Sequence, residues 1–155
     1  MEATAVHATD RRHTPSATPI DRPTKALRVI LAATIAISIV HYTDNTIRYD
    51  VYTGGKSTYI KEWMIPVSWV LFTAAGLAGY VYFRRARWSR AATCLALSSV
   101  GGLVDVGHFT SVSPSDFDAY QLVFIFADFV IGGLVLFGFV VWITQRRVPR
   151  ERRPA

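Results

Sequence analysis

Residues 119–143 read AYQLVFIFADFVIGGLVLFGFVVWI, 25 positions whose single charged side chain is Asp128. A helix needs about 20 mostly apolar residues to cross about 30 Å of hydrocarbon. This stretch exceeds that length, and it has no polar face of the kind a surface helix of a soluble domain carries. Working outward, residues 91–109 form a second apolar run interrupted by Asp105, and residues 63–83 form a third with no charge. Residues 26–44 form the fourth and weakest, with Arg28 near its start and Asp44 at its end. The composition agrees: of 155 residues, 51% are hydrophobic and 18% charged, and the mean hydropathy is +0.26. These values argue against a disordered chain, a coiled coil or a disulfide scaffold. The expected fold is all-α, an integral membrane four-helix bundle.

The domain organisation follows. Residues 1–24 are rich in Thr, Ala, Pro, Arg and His without an apolar period, and they read as a flexible tail. No metal role is assigned to His7 and His13 within it. The first apolar run starts near residue 26 and no small-residue cleavage pattern follows it, so it reads as a retained helix and not a signal peptide. Residues 25–145 form the transmembrane domain, with an outer loop at 45–62, and residues 146–155 form a basic tail. Cys94 is the only cysteine, which excludes an internal disulfide.

The net charge of +6 is distributed unevenly. Arg11, Arg12, Arg22, Lys25 and Arg28 flank the first segment; Arg84, Arg85, Arg87 and Arg90 fill the second connection; Arg146, Arg147, Arg150, Arg152 and Arg153 close the chain. Only Arg48, Lys56 and Lys61 lie on the opposite side. Fourteen against three is a positive-inside signature, so both termini are expected in the cytoplasm. Clustering beside apolar segments makes these arginines topology determinants, not a nucleic-acid patch. Trp63, Trp88, Tyr120 and Trp142 fall at the expected interfaces. The Arg- and Ala-rich style fits a high-GC bacterium, and therefore an inner membrane. The expected partners are the lipid bilayer and either further copies of the chain or a larger membrane complex.

The outer loop holds Tyr49, Tyr52 and Tyr59 around a Gly54–Gly55 turn, which suggests an aromatic cap over the outer end. Gly55-Lys56-Ser57-Thr58 imitates the end of a phosphate loop, but position 50, where that motif needs glycine, is Asp50. The third connection, 110–118, is short, which makes the third and fourth segments antiparallel neighbours.

Ionisable side chains inside spanning segments are costly and face the bundle interior or a wet cavity. Here they are His41, Asp44, Asp105, His108 and Asp128. His41 and Asp44 are three apart, as are Asp105 and His108, so each pair shares a face. Counting from Lys25 and Arg90 at 1.5 Å per residue puts His41 and Asp105 at a depth of about 23–24 Å and Asp44 and His108 at about 27–28 Å. Asp128 reaches a similar layer from the fourth segment. Asn45, Arg48, Trp69, Tyr120 and Gln121 surround this layer and form an expected substrate-binding rim. Gly101, Gly102, Gly132 and Gly133 read as close helix contacts, with room for a flat cofactor as the other use of Gly101 and Gly102.

Two imidazoles with carboxylates are ligands for Zn, Fe or Mn. His41, Asp44, Asp105 and His108 are therefore candidate ligands for a divalent metal. The same five groups suit acid–base chemistry on a lipid-soluble substrate. A haem held by His41 and His108 as an electron carrier, a proton-coupled transport component and an accessory subunit of a membrane complex are the alternatives. In a purely structural reading, the same residues would only join helices.

Overall fold

The structure is a computed structural model; it describes residues 21–55, 59–110 and 112–148. The described residues are mostly helical, with no strand among them. Four helical spans are long and apolar enough to cross a membrane: Arg22–Ile47, Met64–Arg84, Trp88–Thr110 and Ala119–Arg146.

The first span is α1 (Asp21–Ile47), which begins five residues ahead of position 26. Pro23 permits this early start, because proline in the first helical turn costs no backbone hydrogen bond. A five-residue helix, α2 (Tyr49–Thr53), follows at once and ends on Gly54 at φ 60°. Gly54 and Gly55 both adopt the left-handed conformation that turns the chain back. The phosphate-loop look-alike ends in positions 56–58, outside the described residues. The second span is α3 (Met64–Arg84) and the third begins as α4 (Trp88–Leu103). Here the structure departs from a continuous helix: the third span tightens into a 3-10 segment, Val104–Thr110. The fourth span is composite too, running from α5 (Ala119–Ala127) through a π-helical segment (Asp128–Val135) into α6 (Leu136–Arg146).

The four spans form a ring. α3 packs beside α1 and most extensively against α4; α4 lies against the π segment and α6; and the π segment closes the ring onto α1. α1 and α4 therefore face each other across the bundle. The third and fourth spans are neighbours, as their short connection requires.

Glycine makes that contact close. A Cβ on Gly102 would collide with the backbone of Gly133 and lie 2.5 Å from the Asp128 carbonyl oxygen. A Cβ on Gly101 would sit 2.9 Å from the Phe72 ring. The glycine space is thus filled by helix packing and leaves no slot for a flat cofactor.

The interior is layered. At the basic end, Leu27, Leu31, Phe83, Leu95, Leu136 and Ile143 form one apolar cluster. At the other end Tyr52, Val112, Phe117 and Ile125 form a second. Between and around them lie buried polar residues: Thr34, Ser38, His41, Asn45, Ser98, Ser99, Asp105, Gln121 and Asp128. The outside is the reverse, with Val67, Val70, Leu71, Leu77, Val123, Phe126 and Leu134 among many exposed large apolar side chains.

The buried stripe of α1 explains the layering. It runs Leu27, Leu31, Thr34, Ser38, His41, Asn45, with alternating steps of four and three. That spacing keeps one helix face toward its neighbours, and the face changes from apolar to polar after Leu31.

Candidate functional site

Three elements bring the polar side chains together. His41 comes from the buried stripe of α1 and is fully enclosed. Asp105 and His108 come from the 3-10 segment, whose three-residue turn sets side chains i and i+3 directly above one another. The His41 Nε2 atom lies 3.4 Å from Asp105 Oδ1. The His41 and His108 rings meet edge to face with centroids 5.6 Å apart. One ligand atom from each of His41, Asp105 and His108 lies within 4.8 Å of the other two.

Asp128, at the start of the π segment, is buried close to Asp105. Its Oδ1 fills the space a Cβ on Gly132 would take, 2.6 Å from that position. The π segment and its glycine thus admit a carboxylate to the bundle interior. Asp128 also lines a small void of about 20 Å³ with Thr34, Ser38, Tyr42, Trp69 and Ser98, room for about one water.

The hydrogen-bond accounting is incomplete at this centre. Both ring nitrogens of His41, Oδ2 of Asp105, Oδ2 of Asp128 and Oγ1 of Thr34 are buried without a hydrogen-bond partner. Buried polar atoms are paired in the great majority of cases, and an orphan signals water, an ion or chemistry.

Asp44 does not join this centre. The buried stripe steps from His41 to Asn45, so Asp44 sits to one side, partly exposed. Its carboxylate accepts from Tyr120 Oη at 2.7 Å, Tyr52 Oη at 2.8 Å and Gln121 Nε2 at 2.9 Å. Arg48 Nε lies 3.4 Å away on the same helix face. The result is a clasp joining α1, α2 and α5. Arg48 reaches on to Asp118 at 2.9 Å and covers the Tyr120 ring. Gln121 is committed at both ends, because its Oε1 accepts from the Asp118 backbone N–H in a capping box.

The expected rim is therefore divided. Arg48, Tyr120 and Gln121 belong to the Asp44 clasp. Trp69 donates to Ser38 Oγ at 3.1 Å and lines the small void. Asn45 alone stands beside the centre, its Nδ2 3.3 Å from His108 Nε2.

The centre opens onto a cavity of about 540 Å³, lined by Asn45, Asp105 and His108 at one end and by Tyr42, Tyr52, Phe72, Ile65, Met64 and Ile60 elsewhere. Tyr52 roofs it, with its ring 4.9 Å from that of His108 and its hydroxyl on Asp44. Burial and the Asp44 carboxylate push the Tyr52 hydroxyl well above the ordinary tyrosine range. Among these lining residues, Tyr42, Phe72, Ile65, Met64 and Ile60 carry no chemical signal in the sequence. Tyr52 had one, the aromatic density of its loop.

No protein-family model matches the chain, and no curated protein or solved structure is detectably similar to it. The site's own geometry therefore carries the functional argument.

Proposed function

We propose that the chain is a multi-pass membrane protein. In this reading His41, Asp105 and His108 bind a divalent transition metal at the floor of the 540 Å³ cavity, where the protein acts on a lipid-soluble molecule. The observation that carries it is the set of buried atoms without partners on His41 and Asp105, converging with His108. Two imidazoles and one carboxylate are a recurrent donor set for zinc and non-haem iron, leaving positions open for substrate or water. Tetrahedral coordination at about 2.0–2.1 Å needs ligand atoms about 3.3 Å apart, and here they lie within 4.8 Å of one another. A bound metal would act as a Lewis acid toward a ligand in the cavity. Asp128 would back Asp105.

Membrane insertion is supported by four apolar spans and by the apolar exterior around a polar interior. Both termini are proposed to lie in the cytoplasm of a bacterial inner membrane, with the cavity in the outer leaflet. Arg147 stacks over Trp88 and Trp142, and Arg28 donates to Tyr80 Oη, which makes an aromatic and basic belt at the inner end. The haem alternative fits less well, because the His41 and His108 rings meet edge to face with centroids 5.6 Å apart, which leaves no flat space for a macrocycle between them.

Cobalt titration of the detergent-purified chain tests the site. Visible d–d bands that saturate at about one Co²⁺ per chain and vanish in His41→Ala are expected. Identical spectra for wild type and His41→Ala would remove the site.

A further inference from the structure

We propose that the 540 Å³ cavity takes the uncharged ring-shaped head of a lipid-soluble molecule, with a hydroxyl or carbonyl group on that ring directed at His108 and Asp105. This deepens the proposed function and rests on its membrane-embedded site. The cavity lies within the range of small-molecule pockets.

Its polarity is one-ended. Ser68 donates its hydroxyl to the Ile65 carbonyl at 2.8 Å, Thr53 to Tyr49 at 3.0 Å and Thr110 to Gly107 at 2.7 Å. These donors are already used within their own helices. The orphaned Asp105 Oδ2 and the adjoining His108 ring mark the end where polar groups remain to be met. A ligand with a single hydrogen-bonding head matches that arrangement; one with several polar groups would leave some buried without partners.

The lining also selects on charge. No lysine or arginine lines the cavity among the described residues, so a phosphate or carboxylate head finds no side-chain cation there, and Asp105 offsets the charge of the proposed metal. A cationic head would be stripped of water beside one carboxylate that His41 already engages, which is costly. The rings of Tyr42, Tyr52 and Phe72 form aromatic wall on several elements, and flat ligands gain from such surfaces. Ile60, Met64 and Val104 at the margin are themselves exposed, so the approach is apolar and suits entry from lipid.

The test uses radiolabelled para-octylphenol on the full chain immobilised in mild detergent. One saturable site per chain is expected. Asn45→Ala and Ser68→Phe should each weaken it by about tenfold or more, and Cys94→Ala should leave it unchanged. Octanol should compete at least about tenfold less well than unlabelled octylphenol, and octanoate and octylammonium should not compete. Val104→Trp starts from an exposed position, so it blocks the margin without burdening the core. Absence of saturable binding would overturn the proposal. So would wild-type affinity in both Ser68→Phe and Val104→Trp at unchanged helicity, or equal competition by octanol or either charged amphiphile. Metal content measured on the same samples separates the two claims. Full metal without octylphenol binding removes the ligand assignment alone, and octylphenol binding without metal removes the metal site alone.

Discussion

His41 Nε2 and Asp105 Oδ1 stand 3.4 Å apart, joining α1 to the 3-10 end of the third span across the middle of the bundle. Together with the Asn45–His108 contact and the meeting of the two histidine rings, the pair bridges the two elements through the core. Both side chains are almost fully enclosed, at 0% and 3% exposure. Polar contacts between membrane helices are individually worth only about 0.6 kcal/mol, up to roughly 2. A bridge serving stability alone would leave fewer of its own atoms without partners.

Removing one member of the bridge should therefore cost more function than stability. Asp105→Asn keeps the volume and should lower metal affinity by about tenfold or more while moving the melting temperature by only a few degrees. Asp128→Ala, behind it, should reduce activity or ligand binding by a similar factor. Metal-binding isotherms and thermal unfolding on the same preparations check both.

The Asp44 clasp predicts the opposite pattern. Asp44→Ala strips the acceptor from Tyr52, Tyr120 and Gln121 and should destabilise the cavity end by about 1–3 kcal/mol. Tyr52→Phe removes one of those bonds and should cost about 1 kcal/mol. Neither should change metal stoichiometry. Hydrogen exchange is the direct readout, and faster exchange is expected in α2 for both variants and also at the start of α5 for Asp44→Ala.

Tyr52 gives a pH signature outside the spans. Its ionisation is raised, first by burial and then by the Asp44 carboxylate. The folded chain holds this proton more tightly than the unfolded chain. The resulting stability is fully present below the ordinary tyrosine value of about 10 and is lost as pH climbs from there toward the raised value. Melting temperature should fall above about pH 10, and less so in Tyr52→Phe. Tyrosinate absorbance should show one late-titrating residue fewer in Tyr52→Phe than in wild type.

Helix contact through glycine has a sharp control. Gly102→Ala would drive a methyl into the Gly133 backbone, where nothing flexible can yield. A loss of roughly 1–3 kcal/mol or more is expected. Gly138→Ala meets nothing within 4 Å and should be neutral or stabilising by up to about 1 kcal/mol. Unfolding in a denaturing detergent compares the two.

Orientation has its own test. A phosphatase fused after Arg153 should be inactive and a cytoplasmic reporter at the same place active. Phosphatase activity there would reverse the proposed topology.

The four spans were legible because hydropathy over 20 residues survives any local distortion. The distortions were not. Nothing in Val104–Thr110 or Asp128–Val135 announces a 3-10 or a π turn, although the π segment carries the Gly132–Gly133 pair that packs against Gly102. The pairing of His41 with Asp105 followed from matched depth. Asp44 shows the limit of such counting. Spacing of three and of four both place residues on a common face, and the packing phase chose Asn45 over Asp44 as the inward partner of His41. The cavity walls were hidden for a related reason, since Tyr42, Phe72 and Met64 are ordinary helix residues until four elements converge around them.

Elemental analysis of protein purified in mild detergent without chelator tests the central claim most directly. About one zinc, iron or manganese per chain is expected in wild type and in Cys94→Ala, with loss of most of it in His108→Ala. Only trace metal in wild type, or equal metal in His108→Ala, would contradict the account.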